Sequence, residues 1–197
     1  GYDPDAIYVT DDNGSIFALD HLRRLYPEAP VFFSGVNNYA QLDHLQPDMV
    51  TGVFEHKEIQ PNIELLRQLQ GGLGPVVVVG DGSATYRAIE VEIKRDIAAG
   101  DRAGLTFLVS DRLRDITKRL RESPDQPLIL TTLGAVRDQS GDVVPLPQIV
   151  EAIVGIGRRI VISMEDAYLL DGVLGGYVTS GVAQGRMAAA QMAAYLA

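Results

Sequence analysis

The stretch Ile160–Asp166, IVISMED, reads as an apolar strand that ends in hydroxyl and acidic groups. It runs on through Leu169–Gly181, LLDGVLGGYVTSG, into Gln184–Ala197, QGRMAAAQMAAYLA, a small-residue segment that reads as a closing helix. A strand with a polar carboxyl end, a glycine-rich return and an alanine-rich helix point to a ligand cleft rather than a catalytic centre.

Upstream of that stretch, short β-branched runs alternate with amphipathic segments, the pattern of βα units that build a parallel sheet. Pro75–Gly82, PVVVVGDG, holds four consecutive valines and reads as a fully buried central strand. Ile89, Ile93 and Ile97 recur at helical spacing after it, and LTFLVS (Leu105–Ser110) and PLILTTLG (Pro127–Gly134) supply further strands. VRDQSGDVVPLP (Val136–Pro147) is polar and turn-rich, so it reads as a loop, and QIVEAIVGIG (Gln148–Gly157) as a short helix. An earlier series has the same form. AIYVT (Ala6–Thr10) is a strand, DDNGS a cap, and Ile16, Leu19 and Leu22 mark one helix face that ends at Pro27. PVFFSG (Pro30–Gly35) is the next strand, and DMVTGVF (Asp48–Phe54) a third extended segment, with Thr51 and Gly52 as the hinge where the chain would bend between lobes. Pro61 sits near the first turn of a helix carrying Ile63, Leu66 and Leu69, stopped by Gly71 and Gly72.

The fold class is therefore α/β, with two lobes, each a parallel sheet flanked by helices. The first lobe is expected over residues 1–52 plus 177–197 and the second over 53–176, with the closing helix returning to the first. The 197 residues, 46% apolar and 22% charged, suffice for such a globular chain. A net charge of −9 opposes phosphate-backbone contacts, so nucleic acid is not an expected partner. The basic run Arg112–Arg121 carries Leu113, Ile116 and Leu120 at helical spacing and reads as a solvated helix face. The absence of cysteine removes disulfides, thiolate nucleophiles and cysteine-ligated metals. No apolar run approaches the ~20 residues of a membrane-spanning helix. A strand starts almost at once after Gly1, which leads us to expect that the natural protein extends at both ends.

In parallel α/β folds, ligands bind at the carboxyl ends of the strands. That rule selects Asp11, Asp12, Asn37, Asn38, Tyr39, Asp81, Gly82, Ser83, Thr85, Thr131, Thr132, Glu165 and Asp166 as ligand-binding candidates, with Leu133 beside them. Helix N-termini there favour an anionic group such as a carboxylate, although each polar residue could simply cap its helix. Sharper motifs fail. VVVVGDGSAT has Thr85 where a dinucleotide fingerprint needs its third glycine. GDG lacks the asparagine of a thiamine-diphosphate site, and Asp11 with Asp12 lacks the companions of a receiver domain. His21, His44 and His56 are scattered, so no metal is expected, and no cofactor is. Ser34 in FFSG has no nucleophile-elbow context. Tyr2, Tyr39, Tyr86, Tyr168 and Tyr177 suit either an aromatic pocket or the core.

AIYVTDD, PVFFSGVNN, MVTGV, VVVVGDGSATY, PLILTT and SMED followed by GVLGGYVTSGVAQGRMAAAQMAAYL, in that order, resemble the periplasmic-binding-protein type I fold. The resemblance is to the branch of ABC-transporter substrate-binding proteins that also serves as a sensor module in bacterial histidine kinases and diguanylate cyclases. It covers nearly the whole chain, except that such proteins begin with two βα units before the strand resembling AIYVT, which leaves two expectations: the chain is a fragment of a longer protein, or its first lobe is abbreviated. It implies a non-enzymatic binding domain on the periplasmic or extracellular face, tethered to the inner membrane, that closes on a small, amino-acid-like ligand. Its partner would be a membrane-attached kinase or cyclase output domain in two-component signalling, or a permease if the chain serves an ABC transporter; a homodimer would suit the sensor. Two other classes stand beside it: a small α/β enzyme using Asp81, Glu165 and Asp166 as acid–base groups, and an interaction-only domain.

Overall fold

Parallel strands and their covering helices build both halves of the chain in the computed structural model, which describes residues 3–39, 49–72, 74–97, 104–123 and 125–197. Tyr2 and His44 lie outside the described residues. The fold is α/β, as expected, and divides into two units, Gly1–His56 with Ser180–Ala197, and Lys57–Thr179.

In the first unit, β1 (Ile7–Thr10), β2 (Val31–Val36) and β3 (Val50–Phe54) form a parallel sheet in that order. Ile7 stands opposite Val31 and Val31 opposite Val50, with a register shift between Ser34 and Val36. α1 (Asp11–Phe17) starts directly at the end of β1 and continues through a π-helical turn, Ala18–Leu22, into α2 (Arg23–Leu25). The wider π turn rotates the helix surface, so the expected apolar face is not kept. Ala18 is buried, Leu19 and Leu22 are packed against the core, and Ile16 is exposed. α7 (Gly181–Leu196) lies against β2 and β3, with Ala188 buried where a small side chain lets helix and sheet approach.

The second unit carries β4 (Val76–Gly80), β5 (Leu105–Val109), β6 (Leu128–Leu130) and β7 (Val161–Ser163), all parallel, in the order β5-β4-β6-β7. The valine run reads out directly as burial on both faces. Val76 and Val78 join Ile59, Ile63 and Leu66 of α3 (Ile59–Gln70) and Ile89 and Ile93 of α4 (Ala84–Asp96). Val77 and Val79 join Ile116 and Leu120 of α5 (Leu113–Glu122) and Ile149, Val150 and Ile153 of α6 (Leu146–Val154). Gly80 ends β4 because the Tyr86 ring occupies the space a Cβ would need.

Thr51 and Gly52 do not form a bend. They lie inside β3, opposite Phe32 and Phe33, and the glycine is there because a Cβ would collide with the Phe33 backbone. β3 runs on to Phe54, paired with Val36, so the chain leaves the first unit at His56 rather than residue 52 and returns at Ser180 rather than 177. Among the described residues no helix is long and apolar enough to cross a membrane.

Candidate functional site

In the first unit, the polar residues expected at the ends of β1 and β2 come together. Asp12 is buried, and its Oδ1 accepts the backbone N–H of Asn37 at 3.1 Å and of Asn38 at 2.9 Å. The carboxylate thereby ties the start of α1 to the chain leaving β2. Asp11 has a positive φ of 68°, unusual for a residue with a side chain, and its Oδ1 accepts the N–H of Asp12. Burial pushes the Asp12 carboxyl above its ordinary value near 3.8; the Asn38 N–H pulls it back and the charge of Asp11 pushes it up again. Asn37 Nδ2 donates to Glu55 Oε2 at 3.3 Å, and the Tyr39 hydroxyl donates to Glu55 O at 3.1 Å while its ring stacks on Phe54, 4.7 Å between centroids. Beside them the hydroxyls of Tyr8 and Ser34 share a 2.7 Å hydrogen bond.

In the second unit, the carboxyl ends of β4 and β5 and the loop after β6 surround a cavity of about 330 Å³ lined by Asp81, Gly82, Ser83, Ser110, Asp111, Ala135 and Arg137. Asp81 Oδ1 accepts the Ser83 N–H and Oδ2 the Ala135 N–H, both at 2.9 Å, which fixes the two loops that wall it. Gly82 has φ +75°, the left-handed conformation that turns the chain from strand to helix. Ser83 caps α4 by accepting the Tyr86 N–H at 3.1 Å. Arg137 is carried to the strand ends by two backbone bonds: its N–H donates to Asp111 O at 2.7 Å, and its O accepts the Leu113 N–H at 3.0 Å.

Asp81, Gly82 and Ser83 line the cavity as the sequence leads one to expect, but the other candidates of this unit serve elsewhere. The Thr131 hydroxyl is buried and donates to Val79 O at 2.8 Å, so it holds β6 to β4. Thr132 O accepts the Asp81 N–H at 3.0 Å, and its side chain bonds the Tyr168 hydroxyl, which also accepts the Leu133 N–H at 2.8 Å. Burial pushes the Tyr168 phenol up to about 12. Thr85 sits in the first turn of α4 and Asp166 opens a 3-10 turn, Asp166–Tyr168, neither on the cavity. Glu165 accepts from Lys57 Nζ at 2.7 Å; the Lys57 side chain is fully buried and also reaches Thr179 Oγ1 at 3.4 Å.

Glu55, Ser110, Asp111 and Arg137 are the residues sequence reasoning misses. Ser110 was legible as the polar end of LTFLVS; Arg137 was not, because it lies in a turn-rich loop with no periodicity. Of the tyrosines, Tyr86 and Tyr168 are core residues, and burial raises the Tyr86 phenol above its ordinary value.

No family model, no curated protein and no solved structure matches this chain. The functional reading therefore rests on the residues themselves.

Proposed function

We propose that this chain is a small-molecule-binding sensory domain of the extracytoplasmic side, tethered to the inner membrane and passing ligand occupancy to a membrane-attached histidine kinase or cyclase. The observation that carries the binding reading is the 330 Å³ cavity at the carboxyl ends of β4 and β5, where parallel α/β sheets hold their ligands. Its lining offers both signs of charge, Asp111 and Arg137, with the Ser83 and Ser110 hydroxyls, a set that suits a zwitterionic, amino-acid-like ligand. Of the acid–base candidates Asp81, Glu165 and Asp166, the first two already hold Ser83, Ala135 and Lys57, which supports binding over proton transfer at those two. The resemblance of the ordered segments to type I binding proteins supports the sensory part. Ligand preference for one arrangement of the chain over another is then the signal.

The test is a thermal-shift screen against amino acids, aromatic acids, sugars and nucleosides. A ligand that binds only the folded state adds about 2.7 kcal/mol at 100 times its dissociation constant. A saturable shift from one chemical class, lost in Arg137→Ala and without turnover, is expected; no shift from any class, or consumption of the ligand, overturns the reading.

A further inference from the structure

At the ends of β1 and β2 two buried oxygens, one of Asp12 and one of Asn37, have no hydrogen-bond partner among the described residues. Asp12 and Asn37 are each only 5% exposed. One carboxylate oxygen of Asp12 is taken by the N–H groups of Asn37 and Asn38, but Asp12 Oδ2 and Asn37 Oδ1 are buried with no donor among the described residues. The two orphaned acceptors belong to residues joined by a direct hydrogen bond of 3.1 Å, so they occupy one small region. Further oxygens border it: Glu55 Oε2 lies 3.3 Å from Asn37 Nδ2, and Gln184 Oε1 lies 3.6 Å from where a Cβ on Gly35 would stand. No lysine, arginine or histidine pairs with Asp12 among the described residues. Buried acceptors are ordinarily satisfied, and two orphans on residues that are hydrogen-bonded to each other call for a group that only donates.

We infer that Asp12 Oδ2 and Asn37 Oδ1 receive a protonated amine at a site of the first unit itself; this rests on the reading of the chain as a ligand-binding domain and names an amine as what that unit takes. An ammonium offers three N–H donors and no acceptor, and its bond to a carboxylate is charge-assisted. A divalent cation fits less well, because calcium takes six to eight oxygens, whereas here Asp12 Oδ1 is committed to two backbone groups and Asn37 turns an N–H donor toward Glu55. Gly35, Asn38 and Glu55, next to these oxygens in the structure, are half-buried.

The experiment is titration calorimetry with the L-amino acids and simple monoamines, set against the matching carboxylic acids that lack only the amine. It uses the wild type, Asp12→Asn and Asn37→Ser. The serine variant deletes the orphaned carbonyl but keeps the backbone N–H that Asp12 holds, so it carries the test if Asp12→Asn does not fold. The expected result is that an amine binds saturably, its deaminated counterpart binds at least ten-fold more weakly, and each variant loses roughly ten-fold in affinity for the amine. Equal binding of the deaminated acid, or unchanged affinity in a folded variant, overturns the inference. So does stabilisation of the wild type by calcium or magnesium chloride that Asp12→Asn abolishes, which would make the group a metal site. If no amine binds while a sugar, nucleoside or plain acid does, the amine falls and the binding domain stands; if nothing binds, both fall.

Discussion

At the scale of single residues, Asp12 and Thr131 show how burial sorts polar groups into different duties. The Asp12 carboxyl holds its proton more tightly in the folded chain than in the unfolded one, because burial penalises the charge and Asp11 adds repulsion, against the opposing N–H bonds of Asn38 and Asn37. Its raised value makes the sign definite: the stability it contributes is full below the unfolded value near 3.8 and is lost as pH rises through the folded value. Melting wild type and Asp12→Asn side by side from pH 3 to 8 should therefore show the wild type losing ground to the variant as pH rises out of the acid range, then a constant difference; a difference that moves the other way would refute the assignment. Asp11 and Glu55 are the other carboxylates at this group and are kept in both proteins, so the comparison reads the substitution at Asp12. Thr131 is the opposite case. Its hydroxyl is spent on Val79 O, so Thr131→Val should cost about 1 kcal/mol of stability and leave ligand affinity untouched, measured by denaturant titration and calorimetry. Tyr168→Phe strips the buried Leu133 N–H of its acceptor and should cost more, about 1–3 kcal/mol.

Between elements, the contact that matters most in the second unit is one no local pattern announces. Lys57 leads into α3 and Glu165 follows β7, 108 residues apart, yet their side chains meet at 2.7 Å, with the lysine fully buried and the glutamate side chain 18% exposed. Removing the lysine takes away the charge 2.7 Å from Glu165, so Lys57→Met should destabilise by about 3–5 kcal/mol, and adding Glu165→Leu should restore part of that loss. Equal melting temperatures for the single and double variants would show that the pair is not coupled. What was legible here was periodicity: the valine run of β4, the i, i+4 isoleucines of α4 and the glycine stop of α3 each follow from one segment's own sequence. What was illegible depends on partners distant in the chain. Gly52 looked like a bend because glycine permits one, but it is required by the neighbouring Phe33 backbone. The Ile16 face failed because a π turn changes the helical phase without a sequence marker. Arg137 reaches the cavity only through the backbone of Asp111 and Leu113.

At the scale of the whole chain, the two units differ in how the polypeptide supplies them, and that difference sets how each can fold. Lys57–Thr179 is continuous and contains both hydrophobic clusters of its sheet, one on each face of β4. Its strands follow one another through helices that cover them, so most of its pairing is available without the rest of the chain. The other unit is discontinuous: β1 to β3 come from the first 56 residues, whereas the helix on β2 and β3 is α7, at the far end of the sequence. Without α7, Phe32 and the face of β2 that it shares with Tyr195 lose their cover, and a three-stranded sheet with helices on one face only has too little buried apolar surface to persist. A polypeptide of residues 57–179 should therefore melt cooperatively by itself, while removal of residues 181–197 from the full chain should abolish exchange protection in β1 to β3 and leave that of β4 to β7 intact. Hydrogen-exchange mass spectrometry on the full and shortened chains reads both at once. Uniform loss of protection in all seven strands would mean that the second unit depends on the first, against the independence its continuous core implies.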